Sequence, residues 1–132
     1  MADSLARLYD AVVAAKDEDP SSSRTAKLLR AGRAKMAKKL AEEAFEVLVE
    51  AMQGDRDAVI QESADLLYNL VVLWVAAGVK PRRVWDEMAY RERLLGIAEK
   101  LPKKAPDRDA VASLRTVLAK ARRAKSSMAD AS

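Results

Sequence analysis

The chain has no cysteine and no histidine among its 132 residues. The first absence excludes disulfides, zinc–thiolate sites and thiol nucleophiles. The second removes the commonest general base and metal ligand. Any catalysis must rest on carboxylates, lysine, arginine, tyrosine or hydroxyls. Glycine and proline are scarce, at 4 each. Ala, Leu, Lys, Arg and Glu abound instead, which favours helix. No stretch alternates apolar and polar residues as a half-buried strand does, and there is no internal repeat. A Gly-rich phosphate loop is also missing. The longest apolar run, 66–77, is interrupted by Asn69 and is too short to span a bilayer. Asp3, Arg7 and Asp10 fall where a signal peptide needs an apolar core. A cytoplasmic, all-α protein without a membrane partner is the expectation.

What is present is half hydrophobic and a third charged, with net charge +4. That charge is uneven. Residues 100–125 hold nine Lys/Arg against two Asp, which leaves the remainder slightly acidic. Residues 1–99 are therefore read as the functional domain. Residues 100–132 are read as a basic linker, a C-terminal helix and, from 126, a loose tail. No aromatic residue lies between 100 and 132 to stack bases, so nucleic acid is not an expected partner.

Periodicity and end signals predict helices over 3–16, 25–30, 33–53, 56–77 and 81–99, and a last one capped by Asp107. Leu5, Leu8, Val12 and Val13 are the inward residues of the first. In the third, Met36, Leu40, Ala44, Val47 and Ala51 make the main apolar face. Phe45 and Val49 lie nearly opposite, which suggests burial on two sides, as in an oligomer. Gly54 reads as the end of this helix and Asp55 as the N-cap of the next. The fourth helix is so apolar that burial nearly all round is expected. Gly78 ends it, and Pro81 opens the fifth. In the last helix, Val111, Leu114, Leu118 and Ala121 share a face.

The chemistry concentrates in Glu42-Glu43-Ala44-Phe45-Glu46 and Glu62-Ser63-Ala64-Asp65. Residues three or four apart share a helix face, so Glu43 pairs with Glu46 and Glu62 with Asp65. A turn at Gly54–Asp55 lets the two helices run antiparallel and gather four carboxylates. Such a cluster of hard oxygen ligands suits Mg²⁺ or Mn²⁺. Acids on a helix are ordinarily its solvated face, and that reading covers Glu42 and Glu50. It fits Glu62 and Asp65 badly, because with Asn69 they form one polar stripe through apolar sequence. Ahead of the acids come Lys27, Arg30, Arg33, Lys35, Lys38 and Lys39. Some should pair along the helix, as Lys38–Glu42 and Lys39–Glu43. Lys27, Arg30, Lys38, Lys39 and Asn69 are the candidates for holding phosphates and substrate.

Glu-Glu-x-x-Glu followed by Glu-x-x-Asp resembles the all-α nucleoside triphosphate pyrophosphohydrolase superfamily, which includes the MazG-type proteins. Thr25-Ala26-Lys27-Leu28-Leu29, Lys38-Lys39 ahead of Glu42-Glu43, and Leu66-Leu67-Tyr68 make the chain most similar to the phosphoribosyl-ATP pyrophosphohydrolases. The likeness covers about residues 5–95. It implies an antiparallel helical bundle whose four-helix core is completed by homodimerisation. It also implies Mg²⁺ held by Glu43, Glu46, Glu62 and Asp65. Its reaction is cleavage of phosphoribosyl-ATP to phosphoribosyl-AMP and pyrophosphate, in histidine biosynthesis. Glu42, Glu43 or Glu46 would orient or deprotonate the attacking water. The chain departs from the usual pattern at Arg24, Ala41 and Asn69, where the family commonly has Tyr, Gly and His. Two alternatives stay open: a house-cleaning nucleoside triphosphate pyrophosphohydrolase, and a non-catalytic dimeric module derived from one.

Overall fold

A computed structural model describes residues 2–96 and 108–130. Six helices account for nearly all of them: α1 (Ala2–Ala15), α2 (Arg24–Ala31), α3 (Arg33–Gln53), α4 (Arg56–Ala77), α5 (Pro81–Leu95) and α6 (Arg108–Asp130). There is no strand among the described residues. The breaks between helices have local causes. Ser23 caps α2 by accepting from the Ala26 N–H at 3.1 Å. Asp55 caps α4 through the Ala58 N–H at 3.0 Å. Gly54 closes α3 at φ 77°, a left-handed conformation that glycine takes without steric cost. The fifth helix stops at Leu95, short of the expected 99, because Gly96 turns left-handed and donates to the Glu92 carbonyl at 2.8 Å. The last continues to Asp130 through residues expected to be a loose tail. Its Asp107 cap and the 102–106 linker lie outside the described residues.

The principal pairing is α3 on α4. Their two-residue connection makes them a hairpin, and Arg33 of α3 reaches the Ala76 carbonyl at the far end of α4 (3.5 Å). A cation there also suits the negative end of the helix. On this pair sit α1 against α4, and α2 between α1 and α3. The Trp74 and Trp85 rings meet edge to face at 6.5 Å, which ties α5 to α4. α6 lies along α3. The core is Val12, Met36, Val71, Val72 and Val75, flanked by Leu5, Leu8, Tyr9, Leu28, Leu29 and Trp74. Each fully buried valine contributes about 2 kcal/mol by leaving water.

Three expectations about burial need correction. α4 is not enclosed all round: it buries only Asn69, Val71, Val72 and Val75, and Ile60 stays 67% exposed in a single chain. α3 buries Met36 and Ala41, whereas Ala51 is exposed. Val13 faces outward at 38% exposure. On α6 the apolar face carrying Leu114 and Leu118 is exposed, with Val117 half-buried beside it. At 22 residues, α4 is long and apolar enough to cross a membrane by length and composition alone. Its valines instead pack against α1 and α3.

Candidate active site

Glu43 on α3 faces Glu62 and Asp65, which stand one turn apart on α4. One carboxylate oxygen from each lies within 4.8 Å of the others. Glu43 and Glu62 are half-buried and Asp65 is exposed. Behind them Asn69 is buried, and its Nδ2 donates to the Asp65 carbonyl at 2.8 Å. This crowding has an electrostatic consequence. Desolvation pushes the Glu43 carboxyl up to about 7, helped by a hydrogen bond with Glu62 and the negative charge of Glu62, Asp65 and Glu46. A proton shared between Glu43 and Glu62 thus relieves part of the repulsion. A divalent cation could do the same. The donor set is all hard oxygen, which fits Mg²⁺ or Mn²⁺. Glu46 is near enough to act on Glu43 but lies outside the tight group of three.

Two of these acids, Glu43 and Asp65, line a cavity of about 610 Å³, and Glu62 stands beside them outside its lining. Its lining comes as three helical stripes: Arg24, Lys27, Leu28 and Ala31 from α2, Lys35, Lys39 and Glu43 from α3, and Asp65, Tyr68 and Asn69 from α4. Each set repeats at three or four residues, so one face of each helix points inward. The Thr25 and Tyr68 hydroxyls hydrogen-bond at 2.5 Å and fasten α2 to α4 at the cavity edge. Four cations therefore share the cavity with the carboxylates, an arrangement suited to a polyphosphate that brings its own metal ion.

The sequence model described as phosphoribosyl-ATP pyrophosphohydrolase matches residues 5–92, which include the whole cavity. The chain belongs to the phosphoribosyl-ATP pyrophosphohydrolase family. Phosphoribosyl-ATP pyrophosphatase 2 of Rhodopseudomonas palustris is 69% identical over 103 residues, covering 78% of this chain and 79% of that one. The protein of the same name from Bradyrhizobium diazoefficiens is 64% identical over 115 residues, covering 87% and 86%. Phosphoribosyl-ATP pyrophosphatase of Azospirillum brasilense is 52% identical over 101 residues, covering 76% and 91%. α6 lies beyond the segment that defines the pyrophosphohydrolase family.

Within this member of the pyrophosphohydrolase family, not every residue singled out from sequence reaches the cavity. Lys27, Lys39 and Asn69 line it, while Arg30 and Lys38 do not. Lys38 and Lys39 each stand 3.9 Å from Glu42, so the expected Lys39–Glu43 pairing is replaced by Lys39–Glu42. Glu42 is thereby turned toward these lysines and is absent from the three-carboxylate group. Arg24, Lys35 and Tyr68 also line the cavity; Lys35 belongs to the basic cluster ahead of the acids, whereas Tyr68 was given no role from sequence. A signal for Lys35 was present: with Lys39 and Glu43 it completes an i, i+4, i+8 stripe on α3.

Proposed function

We infer that the protein hydrolyses the α–β phosphoanhydride of phosphoribosyl-ATP, releasing phosphoribosyl-AMP and pyrophosphate, a step of histidine biosynthesis in the cytoplasm. The observation that carries this is the cavity that Glu43 and Asp65, with Glu62 grouped beside them, share with Arg24, Lys27, Lys35 and Lys39. Family membership supplies the substrate. In this reading Glu43, Glu62 and Asp65, with Glu46 close by, hold Mg²⁺ or Mn²⁺. The ion, when bound, neutralises charge that builds on the phosphate oxygens. Lys35 and Lys39 hold and orient the triphosphate beside the acids. With Glu42 occupied by Lys38 and Lys39, the proton of the attacking water passes to the cluster itself.

The test is pyrophosphate release from phosphoribosyl-ATP with and without Mg²⁺, beside a panel of nucleoside triphosphates. Release from phosphoribosyl-ATP that requires the metal supports the reading. Turnover of the panel alone would assign a house-cleaning role, and no turnover of any nucleotide would leave a non-catalytic module.

We further propose that the working form is a homodimer, with the α3–α4 hairpins of two copies forming one antiparallel four-helix bundle. Leu48, Met52 and Ile60 are 62%, 88% and 67% exposed in one chain, and they cluster toward the turn of the hairpin. Apolar exposure of this kind marks an association surface. Sedimentation at micromolar concentration should give twice the chain mass; a single-chain mass would defeat this assignment.

A further inference from the structure

The cavity does not end at its basic rim. Arg24 and Lys27 also border a second hollow of about 420 Å³, walled by Pro20, Ser21, Ser22 and Ser23. The two hollows share these two cations. The backbone of the serine turn is already occupied. Ser21 N–H donates to Asp19 Oδ1 at 2.9 Å, and the N–H groups of Ser22 and Ser23 donate to the Asp19 carbonyl at 3.0 Å. The Ser22 hydroxyl donates to that same carbonyl at 3.2 Å. What remains for a ligand is the positive charge of Arg24 and Lys27 and the hydroxyl protons of Ser21 and Ser23. Neither cation forms an ion pair among the described residues, unlike Lys38 and Lys39. Asp19, whose charge would oppose an anion, is held by Ser21 and lies beside Arg30.

The chemistry of phosphoribosyl-ATP gives this second hollow a use. That nucleotide is anionic at two separated places: the triphosphate, and a single phosphate on the added ribose. The triphosphate must lie at the carboxylates for the reaction to occur, so the lone phosphate needs a cationic site elsewhere. ATP has no such group. We propose that the serine-walled hollow, through Arg24 and Lys27, receives the ribosyl phosphate and so selects phosphoribosyl-ATP over nucleotides that lack it. The proposal rests on the activity inferred above. The planar fork of Arg24 can grip a phosphate through two N–H groups, and Lys27 adds a point charge.

The experiment compares phosphoribosyl-ATP with the same nucleotide stripped of its ribosyl phosphate, by kcat/KM with Mg²⁺ present. Wild type should prefer the phosphorylated form by about 10- to 100-fold, the range of a charged hydrogen-bonded contact. Arg24→Gln and Lys27→Gln should each shrink that preference several-fold, chiefly by raising KM for phosphoribosyl-ATP. Both side chains are exposed, so the fold should hold, and circular dichroism checks this. If either variant loses equally on both nucleotides, the cations serve the triphosphate and the proposal falls. A wild type that cleaves both nucleotides alike overturns the proposal but leaves the activity standing. A wild type that cleaves neither overturns both.

Discussion

The two halves of α4 have opposite characters. From Tyr68 onward it holds the core: Val71 and Val72 are fully buried, Val75 nearly so, and Asn69 is satisfied by its own helix. Before Tyr68 it carries Glu62 and Asp65, and it leaves Ile60 and Leu67 exposed at 67% and 42%. A continuous backbone joins the halves, so the packed half fixes the direction in which the acidic half presents its carboxylates. The difference teaches that one helix can divide its duties by position. Stability comes from one end, and the strained charges of the site stand at the other.

That division breaks most sharply under mutation of the acids. Asp65→Asn should lower pyrophosphate release by about 100-fold or more, the scale of losing one preorganised electrostatic partner. Its Tm without metal should stay level or rise, because a repulsion is removed. A variant that unfolds would instead show that the acidic half is structural. The converse change is Val72→Ala, which opens a cavity and should cost about 2 kcal/mol in urea or thermal unfolding. Its kcat should stay close to wild type; a large fall in kcat with no loss of stability would erase the contrast.

Smaller effects sharpen the picture. The Glu43 carboxyl is raised from 4.5 to about 7, so the folded chain holds a proton that the unfolded chain releases earlier. Stability from this group is complete below about pH 4.5 and is lost as pH rises through 7. If the cluster holds Mg²⁺ as proposed, the ion must displace that proton, so its apparent affinity should grow about tenfold from pH 6 to pH 8. Calorimetric titration reads this, and Glu43→Gln should flatten the dependence. The least change is Tyr68→Phe, which leaves Thr25 without its partner across α2 and α4. The expected cost is about 1 kcal/mol. A loss of several kcal/mol would mean that Tyr68 belongs with the core half of α4 and not at the boundary.

Much of this was legible in the sequence because its causes are local. Asp55, Gly54, Gly78 and Pro81 act through a few neighbouring atoms, and the helices begin and end where these residues require. The pairing of Glu43 with Glu62 and Asp65 was also readable, since a two-residue turn leaves α3 and α4 little choice of register. The cations were harder. Whether Arg30 or Lys35 enters the cavity depends on how α2 is rotated against α3, and packing of Leu28 and Leu29 sets that rotation. Lys39 had two glutamates within reach, and side-chain geometry rather than spacing took it to Glu42. Periodicity alone left α4 looking wholly buried, because it shows how apolar a helix is and not how many neighbours one chain can bring to it.

The short link at Gly54–Asp55 also bears on how the chain folds. Glu43 and Glu62 are nineteen positions apart, while α1 reaches α4 from some sixty positions away. Contacts close in sequence form first, because they require little loop closure. The α3–α4 hairpin is therefore the natural folding nucleus, and the like charges at its middle meet before the protecting core has assembled. The route to the native state thus crosses its least comfortable contact early. A divalent ion or a proton at that point would act on the rate of folding as well as on the finished protein.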